Sequence, residues 1–276
     1  MKVIALANQK GGVGKTTSVI NLAAALARLG FKTLIVDSDP QGNATSGLGF
    51  DKRIFSPSVY NVLVDLLPMD QVIKETTVPN LFLAGAGKDL AGAEVELVPA
   101  VARESRLKGS FAAIKDQFSF VLIDCPPSLG LLTVNALTAA THVLIPIQGE
   151  YYALEGLAQF VDTIHLVKKS LNPNLISLGC LLTLFDGRMS LAQQVKDEIQ
   201  KFMGDKLFKS IIPRNIRLAE APGFGKTIFQ HDPRSRGAEF YLMLAYEFLE
   251  RLGYACELKR PRAAETDENY REVEVS

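Results

Sequence analysis

The fold is decided by the stretch Val3-Ile4-Ala5-Leu6-Ala7-Asn8-Gln9-Lys10-Gly11-Gly12-Val13-Gly14-Lys15-Thr16-Thr17. Its first five residues are continuously apolar, as expected for a strand that is covered on both faces. A glycine-rich turn follows, and the apolar spacing of a helix then begins near Thr16 and continues to about Leu29. A strand, a glycine-rich loop and a helix in this order predict a phosphate-binding loop at the edge of a parallel sheet.

The loop has the residue types that a nucleoside triphosphate requires. Glycines allow consecutive backbone N–H groups to turn toward phosphate oxygens, and the N-terminus of the helix adds a favourable dipole. Lys15 would bring positive charge to the β- and γ-phosphates, and the Thr16 hydroxyl would ligate magnesium. The predicted nucleotide-binding residues are consecutive: Lys10, Gly11, Gly12, Val13, Gly14, Lys15, Thr16 and Thr17. The common P-loop pattern has glycine at position 9, whereas this sequence has Gln9 and an additional lysine, Lys10.

Carboxylates follow two further predicted strands. The strand at residues 33–36 leads into Asp37 and Asp39, and the strand at residues 120–123 leads into Asp124. Because ligands of parallel sheets bind beyond the carboxyl ends of the strands, these side chains are expected over the same crevice as the loop. Asp124 is then a candidate magnesium ligand, directly or through water, and the other two could hold a magnesium-bound water or orient the attacking water.

The remaining pattern predicts an α/β protein in three layers, with a mostly parallel twisted sheet and helices on both faces. Continuously apolar runs predict strands at residues 3–7, 33–36, 81–84, 120–123, 142–147, 178–184 and 207–212. Helical spacing occurs near residues 16–29, 129–140, 155–169, 191–202 and 238–252. Residues 43–75 are weakly patterned and are interpreted as loop with one short helix. We therefore predict one ATPase domain at residues 1–252 and a polar, disordered tail at residues 253–276.

The composition narrows the possible classes of protein. The 276 residues contain 30 Lys plus Arg and 30 Asp plus Glu, so any nucleic-acid binding must depend on a local basic patch. The three cysteines are far apart and form no C-x-x-C pair, which argues against a disulfide framework and against a zinc or iron–sulfur site. Neither a signal peptide nor an apolar run long enough to span a bilayer is recognisable, so we expect a cytoplasmic protein.

Taken together, the motifs resemble the ParA/Soj family of chromosome and plasmid partitioning ATPases, which have a deviant Walker A loop. The first motif alone is shared with MinD proteins and other deviant Walker A ATPases, and the later segments are typical of ParA/Soj. The resemblance covers roughly residues 1–252. It is carried by residues 10–17, 37–43, 124–127, 150–156, 186–188, 212–215, 220–222 and 225–228.

The resemblance implies ATP and Mg²⁺ as cofactors and a sandwich homodimer that forms when ATP binds. Lys10 of each subunit would reach the nucleotide of the other. Together with Lys15 and Asp39 it would act in hydrolysis, and Asp39 matches the residue that handles the attacking water. Thr16, Asp37 and Asp124 would surround magnesium. Pro213 and Asn215 match positions that line the adenine.

The resemblance also implies partners and a location. The dimer would bind double-stranded DNA without sequence preference, which would keep it on the nucleoid, and a ParB-type protein would stimulate slow hydrolysis and release it. No membrane partner is expected. Arg188 and Arg217 match DNA-contacting positions of the family, and Lys226 is a further candidate in the same basic region. Contacts of this kind to the phosphate backbone give salt-dependent, sequence-tolerant affinity.

Four alternatives remain at this stage. A membrane-cycling ATPase of the MinD type would need a basic amphipathic helix at the C-terminus, and residues 257–276 have few apolar positions and an acidic end. A metabolic P-loop enzyme would need further catalytic groups, yet His142, His165 and His231 form no cluster with acids in the sequence. A DNA-binding scaffold without catalysis would have no use for Asp39 and Asp124. ParA-like ATPases that position other large cargo have the same motifs.

Overall fold

The computed structural model describes residues 1–150 and 153–254. The predicted tail at residues 253–276 lies outside the described residues, apart from Gly253 and Tyr254. The ring of Tyr254 contacts Phe31 with a centroid separation of 5.6 Å and Phe120 with a separation of 5.4 Å. The packed part of the chain therefore continues at least to Tyr254, two residues beyond the predicted end of the ATPase domain.

A single twisted sheet forms the centre of the described structure. Its strands are β1 (Lys2–Leu6), β2 (Thr33–Asp37), β3 (Ile73–Glu75), β4 (Leu81–Ala84), β5 (Phe120–Asp124), β6 (His142–Gln148) and β7 (Ile176–Thr183). They lie in the order β3-β4-β2-β5-β1-β6-β7. Every pairing is parallel except that of β3 with β4, which is antiparallel. The prediction of a mostly parallel sheet is confirmed.

Helices cover both faces of the sheet. In chain order they are α1 (Lys15–Arg28), α2 (Asn43–Gly47), α3 (Val59–Leu63), α4 (Leu90–Glu96), α5 (Arg106–Ser110), α6 (Leu131–Ala139), α7 (Ala153–Ser170), α8 (Ser190–Met203), α9 (Ile216–Glu220), α10 (Ile228–His231) and α11 (Arg236–Arg251). Short 3₁₀ helices span Met69–Gln71, Phe111–Ile114, Gly204–Lys206 and Ala221–Phe224. Among the described residues, no helix is both long and apolar enough to cross a membrane.

Alternation along the strands divides the core into two halves. On β1, Val3 and Ala5 belong to the cluster that packs under α3 to α8, whereas Ile4 and Leu6 belong to the cluster under α1 and α11. All of these side chains are buried, because successive residues of a strand point to opposite faces and both faces here are covered. The predicted three-layer α/β architecture is confirmed.

The register of the central strands brings the sequence motifs to one edge. Asp37 ends β2 and Asp124 ends β5, and the two residues are direct partners across the pair of strands. Asp124 is also the partner of Leu6, the last residue of β1, after which the glycine-rich loop begins. The three central strands therefore end together, and their loops meet over a common crevice.

One predicted strand is wrong. Residues 207–212 run beside β7, but they form only isolated bridges, at Leu207 and at the neighbouring Pro213. The reason lies in α11: the backbone N–H groups of Lys209 and Ser210 donate to the Glu247 carboxylate, at 2.8 and 2.7 Å. Two donors that a strand would use are thus taken by a side chain, and the regular ladder is interrupted.

The interpretation of residues 43–75 as loop with one short helix is also incomplete. The segment contains α2, α3, a 3₁₀ helix and the edge strand β3. Strand β3 has three residues, Ile73, Lys74 and Glu75, of which only the first is apolar. Such a strand has too short a pattern to be recognised, and its antiparallel pairing with β4 depends on tertiary contacts.

Candidate nucleotide-binding site

The glycine-rich loop has the backbone shape of an anion cradle. Gly14 lies immediately before α1 with φ of 74° and ψ of 24°, in the left-handed region that favours glycine. The first turn of α1 begins at Lys15, so its backbone N–H groups face the loop. Lys15 is only 6% exposed, and its Nζ atom donates to the carbonyl oxygens of Asn8 at 3.2 Å and Lys10 at 3.0 Å. The ammonium group is thereby held inside the curve of the loop.

The electrostatic surroundings of Lys15 are mixed. Burial lowers its pKa from the ordinary value, because desolvation penalises the charged form. The negative charges of the nearby carboxylates, Asp124 and Asp39, act in the opposite direction and partly restore the charged form. Bound phosphates would add negative charge at this position, so a polyanion is the ligand that best compensates a buried ammonium group.

Three polar side chains outside residues 10–17 support the glycine-rich loop through hydrogen bonds. Thr183 at the end of β7 donates its hydroxyl to the Val13 carbonyl at 2.8 Å, and Gln148 at the end of β6 donates to the Gly12 carbonyl at 3.0 Å. Asn8 donates to the Pro146 carbonyl at 2.7 Å. None of these three side chains was predicted from the sequence to support the loop. Their only sequence signal is a polar side chain at the end of an apolar strand, or just after one.

Asp37 is fully buried and already well bonded. Its carboxylate accepts the Thr45 hydroxyl at 2.6 Å and the backbone N–H groups of Thr45 and Asp39, at 2.8 and 3.3 Å. Burial raises the pKa of Asp37 to about 6, although these hydrogen bonds oppose the shift. Asp39, two residues further on, is 6% exposed and accepts the backbone N–H of Gln41 at 2.9 Å.

Asp124 differs from Asp37 because neither of its carboxylate oxygens has a hydrogen-bond partner, although both are buried. Burial raises its pKa well above the ordinary value, and the adjacent charge of Asp37 raises it further. The Thr16 hydroxyl lies close enough to favour the ionised form, but it makes no hydrogen bond of good geometry with either oxygen. A buried carboxylate of this kind is stabilised by a cation.

These groups fit magnesium. Mg²⁺ prefers oxygen ligands and is commonly held by one or two carboxylates together with substrate phosphates. Within residues 1–150 and 153–254 no cluster of three or more His, Cys, Asp or Glu residues could hold a metal ion without help from a ligand. Of the three residues predicted to surround magnesium, Asp124 fits a partial coordination sphere best, because both of its carboxylate oxygens are buried without a partner.

A row of three cavities extends from the loop along the protein surface. The first, of about 320 Å³, is lined by Gly11, Gly12, Gly14, Lys15, Thr16, Thr17, Asp39, Gln41, Asn43, Pro127 and Leu184. A second cavity of about 90 Å³ shares Gly14, Thr17 and Leu184 with it. The second cavity shares Asn215 and Ala219 with a third, of about 890 Å³, which Pro213 also lines. Apart from Lys10 and Val13, the predicted phosphate-binding and adenine-binding residues thus line neighbouring cavities.

Lys10 occupies a different position from the other residues of the loop. Its side chain is 45% exposed and forms an ion pair with Glu150, beyond the end of β6. Lys10 is not among the residues that line the cavity around Lys15. The two lysines of one loop are thus separated: Lys15 is buried inside the curve of the loop, and Lys10 is on the outer surface.

The residues predicted to bind DNA are exposed, and two of them are in ion pairs. Arg188 pairs with Asp186 at 3.1 Å and lines the 890 Å³ cavity together with Pro213 and Asn215. Arg217 lies in α9, 3.0 Å from Glu220 and 3.5 Å from Asp232. Lys226 is exposed just beyond the 3₁₀ helix Ala221–Phe224. Any phosphate contact by Arg217 would have to compete with two carboxylates.

The fold and this site define a P-loop ATPase of the deviant Walker A kind. A family model described as an AAA domain matches residues 1–177. The sporulation initiation inhibitor protein Soj of Bacillus subtilis is 56% identical over 246 residues, which cover 89% of this chain and 97% of that protein. The chromosome partitioning protein ParA of Myxococcus xanthus is 49% identical over 250 residues, which cover 91% of this chain and 88% of that protein. The chain belongs to the Soj/ParA family of chromosome-partitioning ATPases.

Solved structures of similar proteins support ATP and Mg²⁺ as the cofactors. One, named as cobyrinic acid a,c-diamide synthase from Mycobacterium smegmatis with bound ADP and magnesium, superposes with a TM-score of 0.81 and 38% identity. The alignment covers 92% of this chain and 96% of that one. A structure of the same protein holds an ATP analogue and magnesium. ATP and Mg²⁺ are the cofactors of the chain, and it is an ATP-hydrolysing enzyme.

Proposed function

We propose that the chain is a nucleotide-dependent switch that segregates a chromosome or a plasmid. In this cycle two ATP-bound subunits form a sandwich dimer, the dimer binds double-stranded DNA without sequence preference, and a ParB-type protein stimulates hydrolysis and releases it. The observation that carries the proposal is the separation of the two loop lysines: Lys15 is buried and lines the 320 Å³ cavity, whereas Lys10 lies outside that cavity. A lysine on the outer surface is available to the nucleotide of a second subunit.

The chemistry of each half-site follows from its residues. Lys15 and the loop N–H groups would hold the β- and γ-phosphates, and Asp39 would orient the attacking water at the edge of the cavity. Asp124 is the better direct magnesium ligand, because both of its oxygens lack a partner while those of Asp37 already accept three hydrogen bonds. Bound magnesium would neutralise charge on the β- and γ-phosphates. Lys10 from the second subunit would complete the positive charge around the transferred phosphoryl group.

The adenine would lie near Asn215, which lines both the 90 Å³ and the 890 Å³ cavities. Asn215 accepts the backbone N–H of Leu218 at 3.1 Å and so fixes the start of α9. Because α9 also contains Arg217, the same short helix would connect the base of the nucleotide to the basic surface proposed for DNA.

DNA binding would depend on Arg188, Arg217 and Lys226. These residues are exposed, and the formal charge of the whole chain is zero, so attraction to DNA must be local. Formation of a dimer would double this surface, and contacts to phosphates would release counterions and make the affinity strongly salt-dependent. This mode of binding would keep the ATP-bound form on the nucleoid.

The decisive experiment compares three loop variants with the parental protein in ATP and in ADP. Lys15→Ala should lose ATP binding; Lys10→Ala should bind ATP but fail to dimerise; Asp39→Ala should bind ATP and accumulate the dimer. Light scattering would report the oligomeric state, and co-sedimentation with a DNA duplex of arbitrary sequence would report DNA binding. A Lys10→Ala protein that dimerises and hydrolyses ATP like the parental protein would refute the proposal that Lys10 acts at the nucleotide of the other subunit.

The same assays separate the alternatives. A ParB-type protein from the same cell should accelerate ATP hydrolysis by the DNA-bound protein. If it does not, the chain is better explained as a ParA-like ATPase that positions a different cargo. ATP turnover that depends on a small carboxylate and not on DNA would indicate a metabolic enzyme. Sedimentation with anionic vesicles in ATP would indicate a membrane-cycling ATPase.

A further inference from the structure

Two glycines, 176 positions apart in the sequence, touch backbone to backbone. Gly49 has φ of +86° and Gly225 has φ of +63°, so both adopt a conformation that side chains rarely allow. A Cβ atom on Gly225 would lie 2.6 Å from the Gly49 Cα, and a Cβ atom on Gly49 would lie 3.2 Å from the Gly225 carbonyl oxygen. Because no side chain lies between them, neither segment can shift far toward the other.

Gly49 ends the segment that begins at the nucleotide site. From Asp39 the chain passes Gln41 and Asn43, which line the 320 Å³ cavity, and continues through α2. Within α2, Thr45 donates its hydroxyl to Asp37 at 2.6 Å and accepts the backbone N–H of Ala86 at 2.8 Å. The position of Gly49 is therefore tied through α2 to the carboxylates around magnesium.

Gly225 belongs to the segment that presents Lys226. It ends the 3₁₀ helix Ala221–Phe224, and the backbone N–H of Lys226 donates back to the Ala221 carbonyl at 3.2 Å. Pro222 of the same turn approaches α2 as well, since a Cβ on Gly47 would lie 3.6 Å from the Pro222 Cβ. The start of the Lys226 segment therefore rests on α2 and on Gly49.

A second contact fixes the other end of the segment. Asn21 of α1 is 2% exposed, and its amide donates to the Thr17 carbonyl at 2.9 Å. Its Oδ1 atom accepts the backbone N–H of Ile228 at 2.8 Å, at the beginning of α10. Thr17 lines the 320 Å³ cavity, so this contact leads from the phosphate-binding loop to the residue two positions after Lys226.

We propose that these two contacts make the position of Lys226 depend on the bound nucleotide, with Asn21, Gly49 and Gly225 as positioning residues. The inference rests on the proposed function, because it explains how DNA binding by that surface responds to ATP within one subunit. Lys226 lies between two residues that contact nucleotide-binding segments. Gly225 packs against Gly49 at the end of the segment after Asp39, and Ile228 is hydrogen-bonded to Asn21 of the phosphate-binding helix α1. Closely packed contacts move in small discrete steps, so a shift of either nucleotide-binding segment moves Lys226 with it.

Coupling of this kind has a measurable signature. A ligand shifts an equilibrium between two arrangements only through its different affinity for them, and coupling between two sites typically changes an affinity about 5- to 150-fold. The quantity to measure is the ratio of the DNA dissociation constants in ADP and in ATPγS. Loss of fold or of DNA contacts lowers DNA affinity in both nucleotides, whereas loss of coupling brings the two constants together.

The test uses Gly225→Ala, Gly49→Ala and Asn21→Ala, with Gly223→Ala as the matched control. A Cβ on Gly223 would meet nothing within 4 Å, although it lies in the same turn. Fluorescence anisotropy with a labelled duplex of arbitrary sequence gives the two DNA constants, and a fluorescent ATP analogue gives nucleotide affinity. Gly49→Ala serves if Gly225→Ala fails to fold, because its closest contact is longer.

We expect the ratio to fall about tenfold or more in the three variants and to stay parental in Gly223→Ala, with ATP affinity and dimerisation in ATPγS preserved. A parental ratio in a folded Gly225→Ala or Gly49→Ala protein and in Asn21→Ala would overturn the coupling. So would a fall in DNA binding that merely follows a loss of dimer in light scattering. If the parental protein binds DNA equally in ADP and ATPγS, the proposed function itself is refuted.

Discussion

The hydroxyl of Thr183 offers a test of how the glycine-rich loop is kept in shape. It donates to the Val13 carbonyl at 2.8 Å and lies 3.1 Å from the Ile147 carbonyl, in a fully buried position. Thr183→Val keeps the shape of the side chain and removes the donor, whereas Thr183→Ser keeps the donor and removes a methyl group. The first variant leaves a buried carbonyl of the loop without this partner, at a cost of about 1–3 kcal/mol.

A cost of about 2 kcal/mol lowers the melting temperature of a domain of this size by about 4–8 °C. If the same energy is needed to order the loop around phosphates, the dissociation constant for ATP rises up to about thirtyfold. Thermal unfolding by circular dichroism and titration with a fluorescent ATP analogue measure the two effects. Thr183→Ser should lie close to the parental protein in both. If Thr183→Val matches Thr183→Ser in stability and in ATP affinity, the hydroxyl does not support the loop and the reasoning is wrong.

Three further outcomes are expected. Arg217→Glu should weaken DNA binding and reduce the slope of log affinity against log salt by about two, one for each subunit of the dimer, without changing dimerisation; an unchanged slope in a salt titration would remove Arg217 from the DNA surface. Glu150→Gln should strengthen the ATP-dependent dimer about two- to fivefold in analytical ultracentrifugation, because Lys10 then loses an exposed ion pair of modest strength; a weaker dimer would contradict this. Burial tends to raise the pKa of Glu247, but hydrogen bonds from Lys209, Ser210 and Arg251 outweigh it and lower the pKa below the ordinary value of 4.5. The ionised carboxylate therefore stabilises the fold above pH 4.5, and this stabilisation is lost as the pH falls. In urea titrations, the stability difference between the parental protein and Glu247→Gln should shrink below pH 4.5.

The phosphate-binding loop and the three central strands could be predicted from the sequence because each is a continuous pattern. An apolar strand, its terminal carboxylate and a glycine-rich turn are read within a few residues, and parallel strands place their ends together. The residues that hold the loop could not be predicted in this way. Thr183 is 170 positions from Val13, and Gln148 is 136 positions from Gly12, so only the fold brings these pairs into contact.

The wrong strand at residues 207–212 has a comparable cause. Its apolar pattern is real, since Leu207, Phe208 and Ile212 are buried, but the backbone donors of Lys209 and Ser210 are taken by Glu247. A side chain 37 positions away from Ser210 thus decides between strand and loop. The residues assigned to ATP and magnesium and the proposed DNA surface are predictions that the experiments above test.

The outward position of Lys10 has a consequence for cells that carry two versions of the gene. On the proposed dimer, each catalytic centre combines Asp39 of one subunit with Lys10 of the other. A Lys10→Ala allele and an Asp39→Ala allele are then each defective alone. A mixed dimer, however, keeps one Lys10 across the interface, that of the second polypeptide. This Lys10 faces the Asp39 of the first polypeptide, and one intact centre is restored. Two alleles that are each inactive alone should therefore complement each other, because Lys10 acts in the catalytic centre of the other subunit and not in its own.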